Sequence, residues 1–223
     1  MLHPDVELVT LASTSHEGQS LETALPGFAY QSDKVCQPMN LNKMAAESDI
    51  VFLALPHGVS SALITEEVLN NCKVIDLSSD FRLKTTYGLP ALYKNDIKDA
   101  ALVANPGCYA TAAILSLIPL VKANLIVENG IVIDGKSGVS GAGRAASLNT
   151  QFGECNESMK AYQLPVHRHT PEIEHTLSEF AKNEVFTTFA AHLVPMNRGI
   201  LLTAYATLTA LELPRWQFRH YAR

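Results

Sequence analysis

The chain has 223 residues, 47% of them hydrophobic and 17% charged, and a formal net charge of −5. That size allows one large domain or two small ones with a sizeable core, and the acidic balance gives no reason to expect nucleic acid or an anionic membrane as partner. The longest near-apolar stretch, residues 112–121, contains Ser116 and Pro119 and falls short of the ~18 residues a membrane span needs. Cysteines 36, 72, 108 and 155 form no C-x-x-C pair and no zinc spacing. With no secretory signal at the N-terminus, they are expected to be reduced thiols of a cytoplasmic protein.

Residues 6–12 (VELVTLA) read as a strand running into a polar loop at 13–18, and residues 19–40 show little periodicity. Residues 49–55 form a continuous apolar run closed by Pro56-His57-Gly58. Residues 60–71 have a helical pattern, with Ala62, Leu63, Val68 and Leu69 as buried positions. Two short strands follow, 73–77 closed by Ser78-Ser79-Asp80, and 100–104. Short unalternating strands separated by helical stretches indicate a parallel sheet covered on both faces. Ligands bind beyond the carboxyl ends of such strands, so their polar tails are candidate site loops. No G-x-G-x-x-G lies near the start; the chain begins just before what would be the second strand of a dinucleotide fold. Ser13-Thr14-Ser15 ends that strand with hydroxyls and no acid, which suits a 2′-phosphate and points to NADP; an ordinary Ser/Thr loop reads equally well.

The 100–104 strand feeds Asn105-Pro106-Gly107-Cys108-Tyr109-Ala110-Thr111, and a helical run continues to residue 121. Cys108 is therefore expected at a helix N-terminus, where unpaired N–H groups and the helix dipole favour thiolate. A buried small hydrophobe is the bland reading of the same cysteine. A strand at 130–134 leads into residues 135–144, with four glycines in nine residues and Arg144 at the end as an anion anchor. A flexible surface loop fits that composition as well. His167 and His169 are two apart and share a face in an extended segment, and Thr170, Pro171 and Glu172 read as a helix start capped by Thr170. Histidine carries protons at neutral pH. A metal site with His175 and core-satisfied histidines are the competing readings. Residues 195–199 form a turn carrying Asn197 and Arg198, a second anion anchor, before a strand at 200–208.

Residues 105–111, 137–144, 167–173 and 195–200 together resemble the N-acetyl-γ-glutamyl-phosphate reductase family. Residues 51–60 and 74–82 are similar to that family's Rossmann half, and the likeness runs from about residue 3 to about residue 208. A relative acting on a carrier-bound aminoadipyl phosphate shares much of the pattern; aspartate-semialdehyde dehydrogenase fits it less well. The resemblance implies an α/β chain: an incomplete Rossmann-like parallel sheet over residues 1–107, then an α+β catalytic and dimerisation domain of the semialdehyde dehydrogenase type over 108–223. It implies an oxidoreductase of arginine biosynthesis, in which Cys108 attacks a small-molecule acyl phosphate and NADPH reduces the resulting thioester. His167 or His169 manages protons. Arg144, Glu172, Asn197 and Arg198 bind substrate, with Glu172 orienting the amide or a histidine, and Ser13, Pro56, His57, Ser137, Gly138, Ala142 and Gly143 touch the cofactor, with no metal and a homo-oligomer of two or four chains. The family's opening strand and glycine-rich turn are missing, and residues from 211 onward do not resemble it, so weak or absent NADP binding is expected. An inactive remnant that only associates with a full-length partner, and a Cys–His acyl hydrolase, are the alternatives.

Overall fold

Short apolar runs become strands in the first half of the chain because each finds a parallel neighbour. The structure, a computed structural model, describes residues 3–29 and 34–209. Its two compact units are Met1–Asn105 and Pro106–Arg223. The first contains α1 (Leu21–Ala24), α2 (Leu41–Glu47), β1 (Ile50–Leu53), α3 (Ser60–Leu63), α4 (Glu66–Asn71), β2 (Lys73–Asp76), β3 (Thr86–Tyr87), α5 (Pro90–Asp99) and β4 (Leu102–Ala104). The strands form one parallel sheet in the order β1-β2-β4-β3, with Val51 opposite Val74 and Asp76 opposite Ala104. Val51, Leu53, Val68 and Val74 bury against Leu41 and Ala45 of α2.

Four local expectations change here. Residues 6–12 are not a strand. A strand is held by its ladder, and this segment's described backbone pairing is the single bridge of Ala12 with Gln37, leaving Val6 and Val9 exposed. The 60–71 helix breaks into α3 and α4, because Thr65 turns extended and its Oγ1 accepts the Val68 N–H to cap a second helix. Of its expected core positions Val68 is fully buried while Ala62 is exposed. The sheet is not sealed on both sides at β1: Val51 and Leu53 are buried, but Ile50 and Phe52 are 47% and 64% exposed, since the packed helix α2 covers only the Val51–Leu53 side.

The second unit contains α6 (Cys108–Lys122), β5 (Ile131–Ser137), α7 (Phe152–Cys155), β6 (Lys160–Tyr162), α8 (Thr170–Ala181), β7 (Thr187–Leu193) and β8 (Ile200–Tyr205). The sheet order is β6-β7-β5-β8, with β5 and β7 parallel and the two outer strands antiparallel to their neighbours. Ala110, Ala113, Ile114, Leu117, Ile118 and Val121 recur at helical spacing and are all buried, so α6 has one broad apolar face, and it packs on α8. Each fully buried Ile or Leu there is worth about 1.5–3 kcal/mol. Strand β5 runs three residues beyond the expected end at 134, and β8 stops at Tyr205, after which Leu208 bridges to Ile126. Residues 211–223 lie outside the described residues. Among the described residues no helix is long and apolar enough to cross a membrane.

Candidate active site

Cys108 is the first residue of α6, and Gly107 is the N-cap. The main-chain bend at Asn105-Pro106-Gly107 presents the thiol rather than burying it: Cys108 is exposed, whereas Cys36 and Cys72 are buried and Cys155 is half-buried. Burial pushes the Cys72 thiol up, away from reactivity. The N–H groups of Cys108, Tyr109 and Ala110 precede the first intrahelical acceptor, which is the Gly107 carbonyl receiving the Thr111 N–H. The Gly107 N–H donates to Glu172 Oε1 at 2.8 Å, inside the protein. Glu172 is only 2% exposed, so its carboxylate braces the loop that carries Cys108.

Cys108 shares an open cavity of about 390 Å³ with Ser137, Ala142, His167, Arg168 and His169, and with Lys160 and Tyr162 on β6. No Asp or Glu lines it among the described residues. His167 and His169 are 4% and 3% exposed, with ring centroids 4.8 Å apart. A turn, not the extended segment expected, brings them together: the His169 N–H donates to His167 Nδ1 at 3.1 Å, and the Thr170 N–H to the His167 carbonyl at 3.0 Å. The helix then starts at Thr170 itself, with His169 as its N-cap, so Thr170 does not cap it. His175, one turn further along α8, is exposed, and no metal-binding group of three His, Cys, Asp or Glu exists among the described residues.

Because His167 Nδ1 accepts a hydrogen bond, its neutral ring carries the proton on Nε2. Burial, reinforced by the Arg168 guanidinium, lowers its pKa from 6.5 to about 4. The native state therefore binds fewer protons there than the unfolded chain, and stability is lost as pH falls from about 6.5 toward 4. The loss attributable to His167 is on the order of 3 kcal/mol, levelling off below pH 4. Urea unfolding at pH 7, 5 and 4 is expected to show a shallower acid-side decline for His167→Gln than for the natural chain. Parallel declines would refute the assignment.

The glycine-rich segment is not a free loop. The N–H groups of Gly138, Val139 and Ser140 donate to the carbonyls of Gly199, Met196 and Asn197, which pins the residues after β5 to the turn before β8. Gly138 is required by close approach, since a Cβ there would lie 2.8 Å from the Arg198 nitrogen and 2.9 Å from the Asn197 carbonyl. Its missing side chain thus admits the protein's own backbone. Ser137 and Ala142 reach the cavity; Gly138 and Gly143 are not among its lining residues. Gly143 adopts φ +89°, which favours glycine there. Arg144, Asn197 and Arg198 are exposed and also lie outside the cavity lining; the cations that line it are Lys160 and Arg168.

In the first unit, the Pro56-His57-Gly58 turn follows β1. Asp80 accepts the Gly58 N–H at 2.7 Å and the Ser61 N–H at 3.1 Å, while the Ser79 N–H donates to His57 Nδ1 at 3.0 Å. Burial opposes the Asp80 charge, but those two amides, the Ser78 hydroxyl and His57 together hold its carboxyl below its ordinary value. Ser13 Oγ accepts the His16 N–H at 3.2 Å, and the adjoining Thr14 and Ser15 are exposed. The braced turn lies at the carboxyl end of β1, the side of a parallel sheet where ligands bind.

Two family descriptions match this chain: semialdehyde dehydrogenase, NAD binding domain, over residues 1–100, and semialdehyde dehydrogenase, dimerisation domain, over residues 108–221. The chain belongs to the semialdehyde dehydrogenase family. The second match continues past residue 211, where the sequence reading ended the resemblance. Curated relatives named N-acetyl-gamma-glutamyl-phosphate reductase include those of Clostridium novyi, 45% identical over 93% of this chain and 66% of that protein, and Campylobacter jejuni serotype O:6, 47% identical over 92% and 65%. The chain thus spans just under two thirds of the length of these relatives. Aspartate semialdehyde dehydrogenase II from Vibrio cholerae has the same fold, with a TM-score of 0.71 at 16% identity, covering 96% of this chain and 70% of that one. A Candida albicans aspartate semialdehyde dehydrogenase solved with NADP gives a TM-score of 0.70 at 14% identity, over 98% and 69% of the two chains.

Proposed function

We propose that the chain carries the thiol half of an N-acetyl-γ-glutamyl-phosphate reductase, an NADP-dependent, cytoplasmic enzyme of arginine biosynthesis. One observation carries this: an exposed cysteine at the head of α6 shares a cavity with two buried histidines and two cations, without a carboxylate. Such a cavity suits an anionic acyl phosphate. The Cys108 sulfur forms a bond to the acyl carbon, the carbon–oxygen bond to phosphate breaks, and inorganic phosphate leaves. Lys160 and Arg168 neutralise the substrate's anionic groups, and the amides at the start of α6 receive the carbonyl oxygen. NADPH, when bound, supplies hydride; exposed Thr14 and Ser15 beside Ser13, and the Pro56–His57 turn, would hold it. His167 stays neutral and donates through Nε2, while His169 takes the hydroxyl proton of the thiohemiacetal as it collapses to aldehyde and returns it to the leaving sulfur.

The same reading includes self-association. On the outer sheet face Val132, Tyr205 and Leu201 are 37%, 58% and 61% exposed, and Val132 pairs directly with Tyr205. They flank the Asp134–Lys136 ion pair and His192, whose Nδ1 is 3.2 Å from Asp134. A second copy of the chain would cover this face.

Iodoacetamide is a weak test, because exposure alone would make Cys108 label before the other three thiols. Acetyl phosphate is a better probe. It is expected to release phosphate and leave a hydroxylamine-labile acetyl group on Cys108 with no nucleotide present, as read by mass spectrometry. Acetylation confined to lysines would reject the nucleophile.

A further inference from the structure

We propose that Tyr109 is the positioning residue of this site: its ring is the wedge that sets the two imidazoles against Cys108. The proposal rests on the reading of Cys108, His167 and His169 as one site, but on different observations. Tyr109 adjoins Cys108 in α6 and is 2% exposed. Its ring stands edge-on to His167 at 5.9 Å and lies 6.1 Å from His169, with Phe189 of β7 at 5.2 Å. Its hydroxyl donates to the His192 carbonyl at 3.0 Å, tying the head of α6 to the sheet.

Strand β5 is cut away to admit the ring. Gly135 pairs with Ala191 and Leu202, in the middle of three strands, where a side chain would ordinarily add to the core. A Cβ at Gly135 would lie 2.5 Å and 2.8 Å from two carbons of the Tyr109 ring. The sheet floor thus limits the ring on one side, and the two imidazole centroids lie 5.9 and 6.1 Å from its own. Burial pushes the phenol above its ordinary ionisation range, and its proton is committed to a main-chain carbonyl. What Tyr109 supplies in this proposal is geometry.

The test compares Tyr109→Phe, Tyr109→Leu and Gly135→Ala in the full chain by two readouts. Diethylpyrocarbonate labels His167 and His169, with exposed His175 as internal standard, and acetyl phosphate acylates Cys108 across pH 5–9. Tyr109→Leu and Gly135→Ala are expected to speed labelling of both buried histidines roughly tenfold and to shift the pH profile of Cys108 acylation, as loss of a positioning contact does. Tyr109→Phe, which keeps the ring, is expected to restore most of the histidine protection. Unchanged protection in Tyr109→Leu, or a Phe variant as unprotected as the Leu variant, overturns the wedge. Should Tyr109→Leu not fold, Gly135→Ala decides on the same readouts, since it leaves the tyrosine in the chain and displaces only its ring. Absence of Cys108 acylation in the natural chain, with histidine labelling behaving as expected, would reject the nucleophile and keep the wedge.

Discussion

On the proposed function, Cys108→Ala is expected to lower phosphate release from acetyl phosphate by about 10⁴-fold, to the detection limit. In the proposed reaction the bond to the acyl carbon forms on this sulfur, so no neighbouring group substitutes for it. Folding should be nearly untouched. Cys108 is exposed, and alanine at the first position of α6 suits a helix at least as well. Equal melting temperatures with lost turnover would separate chemistry from stability. A variant keeping a tenth of the natural rate would mean that the thiol is a bystander.

Gly138→Ala is expected to be the most damaging single methyl group in the second unit. The added carbon would sit 2.8–2.9 Å from main-chain atoms of Asn197 and Arg198, which cannot swing aside as a side chain could. Either the turn before β8 moves, breaking the bonds from Gly138, Val139 and Ser140 to Gly199, Met196 and Asn197, or the end of β5 moves. Overpacking of this kind costs roughly 1–3 kcal/mol, and the lost hydrogen bonds add about 1 kcal/mol each. Chemical denaturation should show a lower midpoint, and hydrogen exchange should quicken at residues 138–140. Gly143→Ala, with open space around its α-carbon, should cost only the backbone strain of its φ +89°, ψ −173° conformation, about 1–3 kcal/mol. If Gly138→Ala proved the milder of the two, the backbone clash would not govern this loop.

Much of the site was readable as residue types. Cys108 at a strand–turn–helix junction follows from the Asn-Pro-Gly turn and the apolar periodicity after it, and α6 begins at that cysteine. The two-residue spacing of His167 and His169 suggested a shared face. The structure makes them neighbours by a turn in which one backbone amide bonds to the other's ring. The cations were the harder part. Arg144 and Arg198 were conspicuous beside glycine-rich and turn segments, yet Lys160 and Arg168 line the cavity. Nothing local marks Lys160; only the antiparallel pairing of β6 with β7 brings it there. Tyr109 and Gly135 were unmarked for the same reason, being 26 residues apart and meaningful only as a pair.

By itself the sequence determined the parallel sheet of the first unit, the long apolar helix behind Cys108 and the family. Those depend on periodicity and on turn chemistry, which act over a few residues. Tertiary structure alone decided that Glu172 braces the Gly107 amide, that Gly138 makes room for the backbone of the next turn, and that residues 6–12 form no strand. Each depends on a partner far along the chain. Whether a carboxylate meets a substrate or a buried amide, and whether an extended segment becomes a strand, is set by which group arrives opposite it.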